Sequence, residues 1–366
     1  MNTQTKESPV VSGAKKHIRN SLRKNKVKSL RGASAVVGMA TWVPDEVVKL
    51  SDISEKIKEK TSIVMDLEGK TGVVSRRQIS SSTSVLDMAM NAVNKLLFDV
   101  PESTTQDIDL IIYCGVTREY IEPATATLIH NELGIQNATA FDITNACLGF
   151  VDGMCIADSM IASGTYNKVL LVSAEIGSVY AEMALQSIVN GEDPRNHFAS
   201  LTLGDGACAY LMESAINAPI GSPVLQSYAR ASYGEFSDLC IIQERHLPMI
   251  TRPVELFGAA LSKFSDLVDE VLDECGWGVE KMDLYVGHQA SLRSIEKGER
   301  VLGVKEGSFL NTITEYGNMA SVSVPFTMAQ GLKGEAAAPG ARTLIVGFGS
   351  GLGVGVLTLE NARGES

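Results

Sequence analysis

The sequence predicts an α/β protein, on three observations. From about residue 30, short apolar runs rich in β-branched residues alternate with segments whose apolar residues recur at helical spacing. The 366 residues are 45% hydrophobic and 20% charged with only 11 Pro, which is enough apolar material for a large core and too much for a disordered chain. Two stretches also echo one another: 168–213 runs KVLLVSAE, an excursion, Gly204-Asp205-Gly206 and ACAYLM, whereas 342–360 runs RTLIVGFG, Ser350-Gly351 and GVGVLTLE. The echo predicts a fold made of two duplicated halves.

In chain order, SAVVG at 34–38 is the first strand. Leu86, Met90, Val93 and Leu97 share one face of a helix over 84–98, entered by Ser84 with Asp87 as a capping box. A strand at 108–114 precedes a helix over 123–133, where Pro123 is allowed in the first turn. A short strand through Thr144-Asn145-Ala146 runs into an apolar helix over 147–163, stopped by Gly164. The strands at 168–174 and 207–213 are separated by an insertion, 175–203, which reads as a long loop with its own helix over a binding site. A helix over 254–275 closed by Gly276, a strand at 282–288, helices over 291–302 and 322–333, and strands at 342–348 and 353–359 complete the pattern.

The formal charge of −11 is unevenly spread, because residues 1–33 hold nine Lys or Arg against Glu7 alone. A basic arm thus precedes an acidic body. Contact with anionic lipid, nucleic acid or an acidic carrier protein, a transit peptide and a solvated tail are all open readings; the acidic body and the lack of interleaved aromatics favour the tail and argue against nucleic acid. No run approaches the roughly 18–20 apolar residues of a membrane span, and the arm lacks the apolar region of a secretory signal. Six cysteines (Cys114, Cys147, Cys155, Cys208, Cys240, Cys275) contain no Cys-x-x-Cys pair, so neither a metal site nor thioredoxin-like chemistry is expected, and reduced thiols in the cytoplasm are.

Cys147 sits where a strand meets a helix, and free N–H groups with the helix dipole there favour a thiolate. The alternative is a small buried hydrophobe, the reading given to the other five cysteines. Of five histidines, His288 ends a strand and opens a loop, a position where catalytic residues of α/β folds collect. Asn318 lies in the turn Glu315-Tyr316-Gly317-Asn318 before a helix. With the backbone N–H groups of Gly349-Ser350-Gly351, these residues make an acyl-transfer site.

The segments DITNACLGFVDGM, LTLGDGACAYLM, VGHQASLR, EYGNMASVSVP and GFGSGLG resemble, in order, the thiolase superfamily, specifically β-ketoacyl-acyl-carrier-protein synthase III and its relatives. The resemblance covers roughly residues 30–362. It implies a thiolase-like five-layer αβαβα fold and a homodimer, with a first half over 34–215 carrying Cys147 and a second over 216–366 carrying His288 and Asn318. It implies Cys147 as the nucleophile that takes an acyl group from a thioester, and His288 and Asn318 as donors to the enolate of a second substrate. It places the N–H groups of Cys147 and Ser350, beside Gly349, at the oxyanion, and Arg293, Arg77 and Arg76 at coenzyme A or carrier phosphates. Gly204-Asp205-Gly206 is a structural turn in this reading, and the Ser350 side chain reaches Asn318. No bound cofactor is implied; coenzyme A or carrier phosphopantetheine enters as substrate.

A condensation that does not lose CO2 needs a base to remove an α-proton. The loop Arg118-Glu119-Tyr120-Ile121-Glu122-Pro123-Ala124-Thr125-Ala126 resembles that of OleA-like enzymes of olefin biosynthesis, which join two acyl-CoA molecules, and this resemblance implies Glu122 as a base reaching across the dimer. The alternative for Glu122 is a carboxylate beside a helix N-terminus. The expected product is a β-keto acyl compound. The alternatives are a decarboxylating synthase III acting on malonyl-carrier protein and a non-catalytic acyl-binding partner subunit. Departures from the family are the absence of a Trp over Thr61–Met65 to stack on adenine, and Ser350 in place of a glycine.

Overall fold

The computed structural model describes residues 32–98, 100, 105–243 and 246–364. The basic arm therefore lies almost wholly outside the described residues. In chain order the first seven strands are β1 (Ser34–Trp42), β2 (Glu46–Lys49), β3 (Ser75–Gln78), β4 (Leu110–Tyr113), β5 (Thr139–Asp142), β6 (Lys168–Ile176) and β7 (Asp205–Ser214). They are followed by β8 (Pro223–Ser232), β9 (Cys240–Ile241), β10 (Ile250–Thr251), β11 (Leu284–Gly287), β12 (Arg342–Gly349) and β13 (Gly353–Asn361).

Nine of these strands form one continuous order, β11-β12-β13-β8-β1-β7-β6-β4-β5. β1 meets β8 through the single pair Ala35–Val224, so the order is two sheets touching at one point. Each repeats one pattern. β4 pairs parallel with β6, β6 antiparallel with β7, and β7 antiparallel with β1. β11 pairs parallel with β12, β12 antiparallel with β13, and β13 antiparallel with β8. Even β5, parallel to the outside of β4, has a counterpart in the parallel bridge between Tyr285 and Phe309.

Three apolar clusters fill the spaces between layers. One, with Met88, Ala92, Val93 and Ile129, packs the Val85–Phe98 and Thr125–Leu133 helices on the first sheet. A second, with Val268, Val271 and Leu272, packs the Ser265–Cys275 helix on β8 and β13. The third lies between the sheets around two central helices, Gly149–Ala162 and Ser323–Gly331, and holds Leu148, Phe150, Met154, Phe326 and Met328. Helix, sheet, helix, sheet, helix is the five-layer order. Strands buried on both faces explain why β4 and β6 read as unbroken apolar runs.

The local signals place most elements well. Ser84 and Asp87 form the reciprocal cap, with Asp87 N donating to Ser84 Oγ at 3.0 Å and Ser84 N to Asp87 Oδ2 at 2.9 Å. The 175–203 insertion carries a helix, Ser178–Val189. Other segments differ from expectation. The helix expected over 254–275 is two, Pro253–Leu261 and Ser265–Cys275. The second buries Leu267, Val268, Val271 and Leu272 while the first buries only Ala260, so a straight rod would not serve both seatings. The strand expected through 144–146 ends at Asp142, and the helix that follows starts at Gly149, which leaves Cys147 in a turn.

The halves are also tied electrostatically. Asp152, buried on the first central helix, forms an ion pair with Arg230 of β8 at 2.8 Å and accepts from Asn145 Nδ2 at 2.6 Å. Burial pushes its carboxyl up, and Arg230 pulls it back. Asp152→Ala strands Arg230 and frees Asn145. A wholly buried pair loses about 3–5 kcal/mol when broken; with Arg230 one-third exposed, we expect about 2 kcal/mol, read by urea denaturation against wild type.

Candidate active site

Cys147 lies between Ala146, at φ +49, and the first turn of the central helix. A non-glycine residue at positive φ costs roughly 1–2 kcal/mol and persists only where its surroundings impose it. Here Leu148 imposes it. Its side chain is buried against the β12–β13 hairpin, where a Cβ on Gly347, Gly353 or Gly355 would come within 2.7–3.1 Å of a Leu148 methyl. A Cβ on Gly349 would stand 2.9 Å from the Asn145 carbonyl oxygen and 3.0 Å from Leu148 Cβ. On the other side, Gly149 has no room for a Cβ, which would lie 2.7 Å from the Cys114 carbonyl oxygen. The Cys147 turn is thus clamped between two backbones.

The other expected residues lie at the end of β11 and in the turn before the second central helix. His288 follows β11, and its N–H donates to Val346 of β12 at 2.9 Å. Asn318 is held by two backbone bonds, its N–H donating to Thr202 O at 2.9 Å and its carbonyl accepting from Gly204 N at 3.0 Å. Its Oδ1 accepts from Ala320 N at 2.9 Å and from Ser323 Oγ at 3.3 Å, which leaves Nδ2 as the donating end. The next turn reaches the helix that follows Cys147, because the Ser321 Cβ lies 3.9 Å from the position of a Cβ on Gly149. The N–H groups of Cys147 and Ser350 donate to no backbone carbonyl among the described residues. Gly204-Asp205-Gly206 is a structural turn: Asp205 is buried and accepts from Ser178 N, Ser178 Oγ and Ile79 N at 2.7–2.8 Å.

The electrostatics differ from the expected thiolate. Burial pushes the Cys147 thiol well above its ordinary range, and the neighbouring Cys240 and Glu175 push it the same way. The helix field, worth about 0.3–1 kcal/mol, does not offset this desolvation. Burial also takes the His288 imidazole down to about 4, so it is neutral at pH 7, and its buried Nδ1 has no hydrogen-bond partner. At rest the chain holds a protonated thiol at Cys147 and a neutral imidazole at His288.

Two expected contacts are corrected. Arg76 is 1% exposed and turned inward, bonded to Gln78 at 2.9 Å and 3.9 Å from Glu182, so it is a core residue rather than a phosphate contact. Arg77 stacks on Tyr316, and Arg293 is exposed with Nη2 donating to Gly69 O at 3.0 Å; these two remain available to a phosphate. The Ser350 side chain meets Cys240, with which it shares a hydrogen bond, and not Asn318. Cys240 is accordingly a second thiol at the site, where only a structural one was expected, and its single signal in the sequence was its residue type. Glu122 is exposed on the chain's surface. Among the described residues no group of three or more His, Cys, Asp or Glu side chains is placed to hold a metal ion, and no helix is long and apolar enough to cross a membrane.

Two outcomes follow from this geometry. Gly349→Ala should lower stability by about 1–3 kcal/mol, as overpacking does, and slow Cys147 alkylation, read by thermal melting and intact-protein mass. The reference imidazole titrates at 6.5 and the folded one at about 4. Between those values the unfolded chain binds a proton that the folded chain does not, so this contribution to stability is lost as pH falls from 6.5 to 4 and is fully present above 6.5. In His288→Asn the slope of stability against pH over that window should flatten.

Residues 141–231 and 272–361 match the family models for 3-oxoacyl-[acyl-carrier-protein] synthase III and its C-terminal region. A β-ketoacyl-[acyl-carrier-protein] synthase III of Bacillus cereus is 32% identical over 89% of this chain and 98% of its own length. An acyl-CoA:acyl-CoA alkyltransferase of Xanthomonas campestris is 28% identical over 87% and 96%. Among solved structures, cerulenin-bound Xanthomonas campestris OleA superposes with a TM-score of 0.83 at 27% identity, covering 90% of this chain and 97% of that one. OleA has also been solved with a glutamate, a cysteine or a histidine replaced, and a cysteine variant carries lauric acid and lauroyl-CoA. The duplicated sheets, the clamped cysteine and these likenesses agree, and the chain belongs to the thiolase-superfamily β-ketoacyl-acyl-carrier-protein synthase III family of condensing acyltransferases.

Proposed function

We propose that this condensing enzyme joins two fatty acyl-CoA molecules by a non-decarboxylating Claisen reaction, working as a homodimer. The observation that carries the reading is Glu122, a carboxylate on an exposed loop beside Tyr120 and Ile121, the latter 77% exposed. Large apolar side chains bared beside a carboxylate suit a loop that inserts into a partner subunit. The residues replaced in the OleA variants are spaced along that chain within one residue of the Glu122–Cys147 and Cys147–His288 spacings here.

The Cys147 sulfur attacks the first acyl thioester and coenzyme A leaves, protonated, as its thiol. Neutral His288 has a free lone pair to take the Cys147 proton. The carbonyl oxygen then faces the N–H groups of Cys147 and Ser350. Glu122 of the partner subunit removes the α-proton of the second acyl-CoA, and the enolate oxygen accepts from His288 and Asn318 Nδ2. Each such donor is worth about 3–4 kcal/mol in a dry site. The α-carbon attacks the acyl-Cys147 carbonyl, the C–S bond breaks, Cys147 regains a proton, and a β-ketoacyl-CoA leaves with no carbon lost. In this reading Arg293 and Arg77 meet the phosphates of coenzyme A.

A second reading, the decarboxylating synthase using a malonyl thioester, is favoured by the 32% identity to the Bacillus cereus synthase. It uses the same acyl-Cys147, His288 and Asn318 but needs no base. Purified protein given a long-chain acyl-CoA alone should release coenzyme A and form a β-keto product, and Glu122→Ala should lower this by about 100-fold or more. Product only with a malonyl thioester present, and undiminished in Glu122→Ala, would establish the second reading.

A further inference from the structure

Glu175, near the end of β6, is 2% exposed, and no part of the chemistry above uses it. One carboxylate oxygen accepts from Val116 N at 2.9 Å and from Ser321 Oγ at 2.5 Å. The other accepts from Thr117 N at 3.0 Å and Thr117 Oγ1 at 2.8 Å. Four donors on one buried carboxylate, with no cation among them, is more than a strand end needs. The donors come from two places that matter. Val116 and Thr117 root the loop that carries Glu122. Ser321, also within 2.6 Å of Ser173 Oγ, follows Ala320, whose φ is +45 and whose N–H fixes the Asn318 amide through Oδ1.

We propose that Glu175 is a positioning residue that sets the Asn318 amide and the Glu122 loop from a single carboxylate, so that the step after acylation depends on it more than acylation does. This rests on the condensation reading given above. Glu175→Gln keeps the shape, but its NH2 group faces donors on one side, which loosens either Ser321 with Val116 or both Thr117 donors. The Glu175 charge pushes the Cys147 thiol up, so its loss in Glu175→Gln eases deprotonation of Cys147 rather than hindering it, and the main clamp of Cys147 is the Leu148 seat.

The test compares two rates on the full-length protein: acylation of Cys147 by a long-chain acyl-CoA, followed by intact-protein mass, and β-keto product formation. In Glu175→Gln we expect acylation within about 3-fold of wild type and condensation lower by about 100-fold, the size of one lost oxyanion donor. Ser321→Ala, a milder change, should lower condensation about 10-fold with acylation unchanged. The double variant should be no worse than Glu175→Gln alone, because both act through one link. Equal losses in the two rates, additive losses, or full condensation in Ser321→Ala would overturn the proposal; if Glu175→Gln does not fold, Ser321→Ala and Thr117→Val decide it by the same comparison. If wild type condenses only with a malonyl thioester, the acyl-CoA reading fails separately, and the Asn318 arm is read in that assay, since the same amide would hold that enolate.

Discussion

The contact on which the rest of the site depends is the seating of Leu148 on the glycine face of the β12–β13 hairpin. Four glycines of one hairpin, Gly347, Gly349, Gly353 and Gly355, carry no Cβ where a leucine side chain and an asparagine carbonyl press against them. Close packing leaves no slack at such a contact, so the position of Leu148 dictates that of Cys147. The same seating joins the halves, because Leu148 precedes the first central helix while the hairpin belongs to the second sheet. Asp152 and Arg230 secure the junction one turn further along.

Burying the junction has an electrical consequence. Burial keeps the Cys147 thiol protonated and the His288 imidazole neutral. A neutral imidazole and an amide offer N–H dipoles without a fixed charge, and such donors gain strength when negative charge develops on a substrate oxygen in a low-dielectric site. The helix terminus, which a reading of the sequence takes to favour a thiolate, is outweighed by desolvation. In the proposed reaction, deprotonation of Cys147 is thereby linked to its attack on a substrate.

Much of this was legible from local pattern. β-branched runs, the Ser84 and Asp87 cap and the Gly164 and Gly276 stops located the elements, and the echo between 168–213 and 342–360 is the repeated strand order of the two sheets. Cys147, His288 and Asn318 could be picked out because turn and strand-end positions and motif order mark them. What escaped notice depends on distant parts of the chain. Arg76 looks like a surface cation beside Arg77, yet β-strand alternation sends it inward among Gln78, Glu182 and Asp205. Glu175 ends an apolar strand with no local mark, and its four donors come from segments about 60 and 146 residues away in the chain. Cys240 reaches the site only because a two-stranded excursion, β9 and β10, brings it to Ser350. The alternating glycines of GFGSGLGVG were visible as a turn, but the leucine they accommodate was not.

The central claim is that the clamped turn makes Cys147, and not its neighbour Cys240, the residue that carries the acyl group. The most direct measurement is peptide mapping by mass spectrometry after incubation with a long-chain acyl-CoA, performed on wild type, Cys147→Ala and Cys240→Ala. The account predicts one acyl adduct on the peptide containing Cys147, absent from Cys147→Ala and retained in Cys240→Ala. An adduct on Cys240, or one that survives in Cys147→Ala, would contradict it.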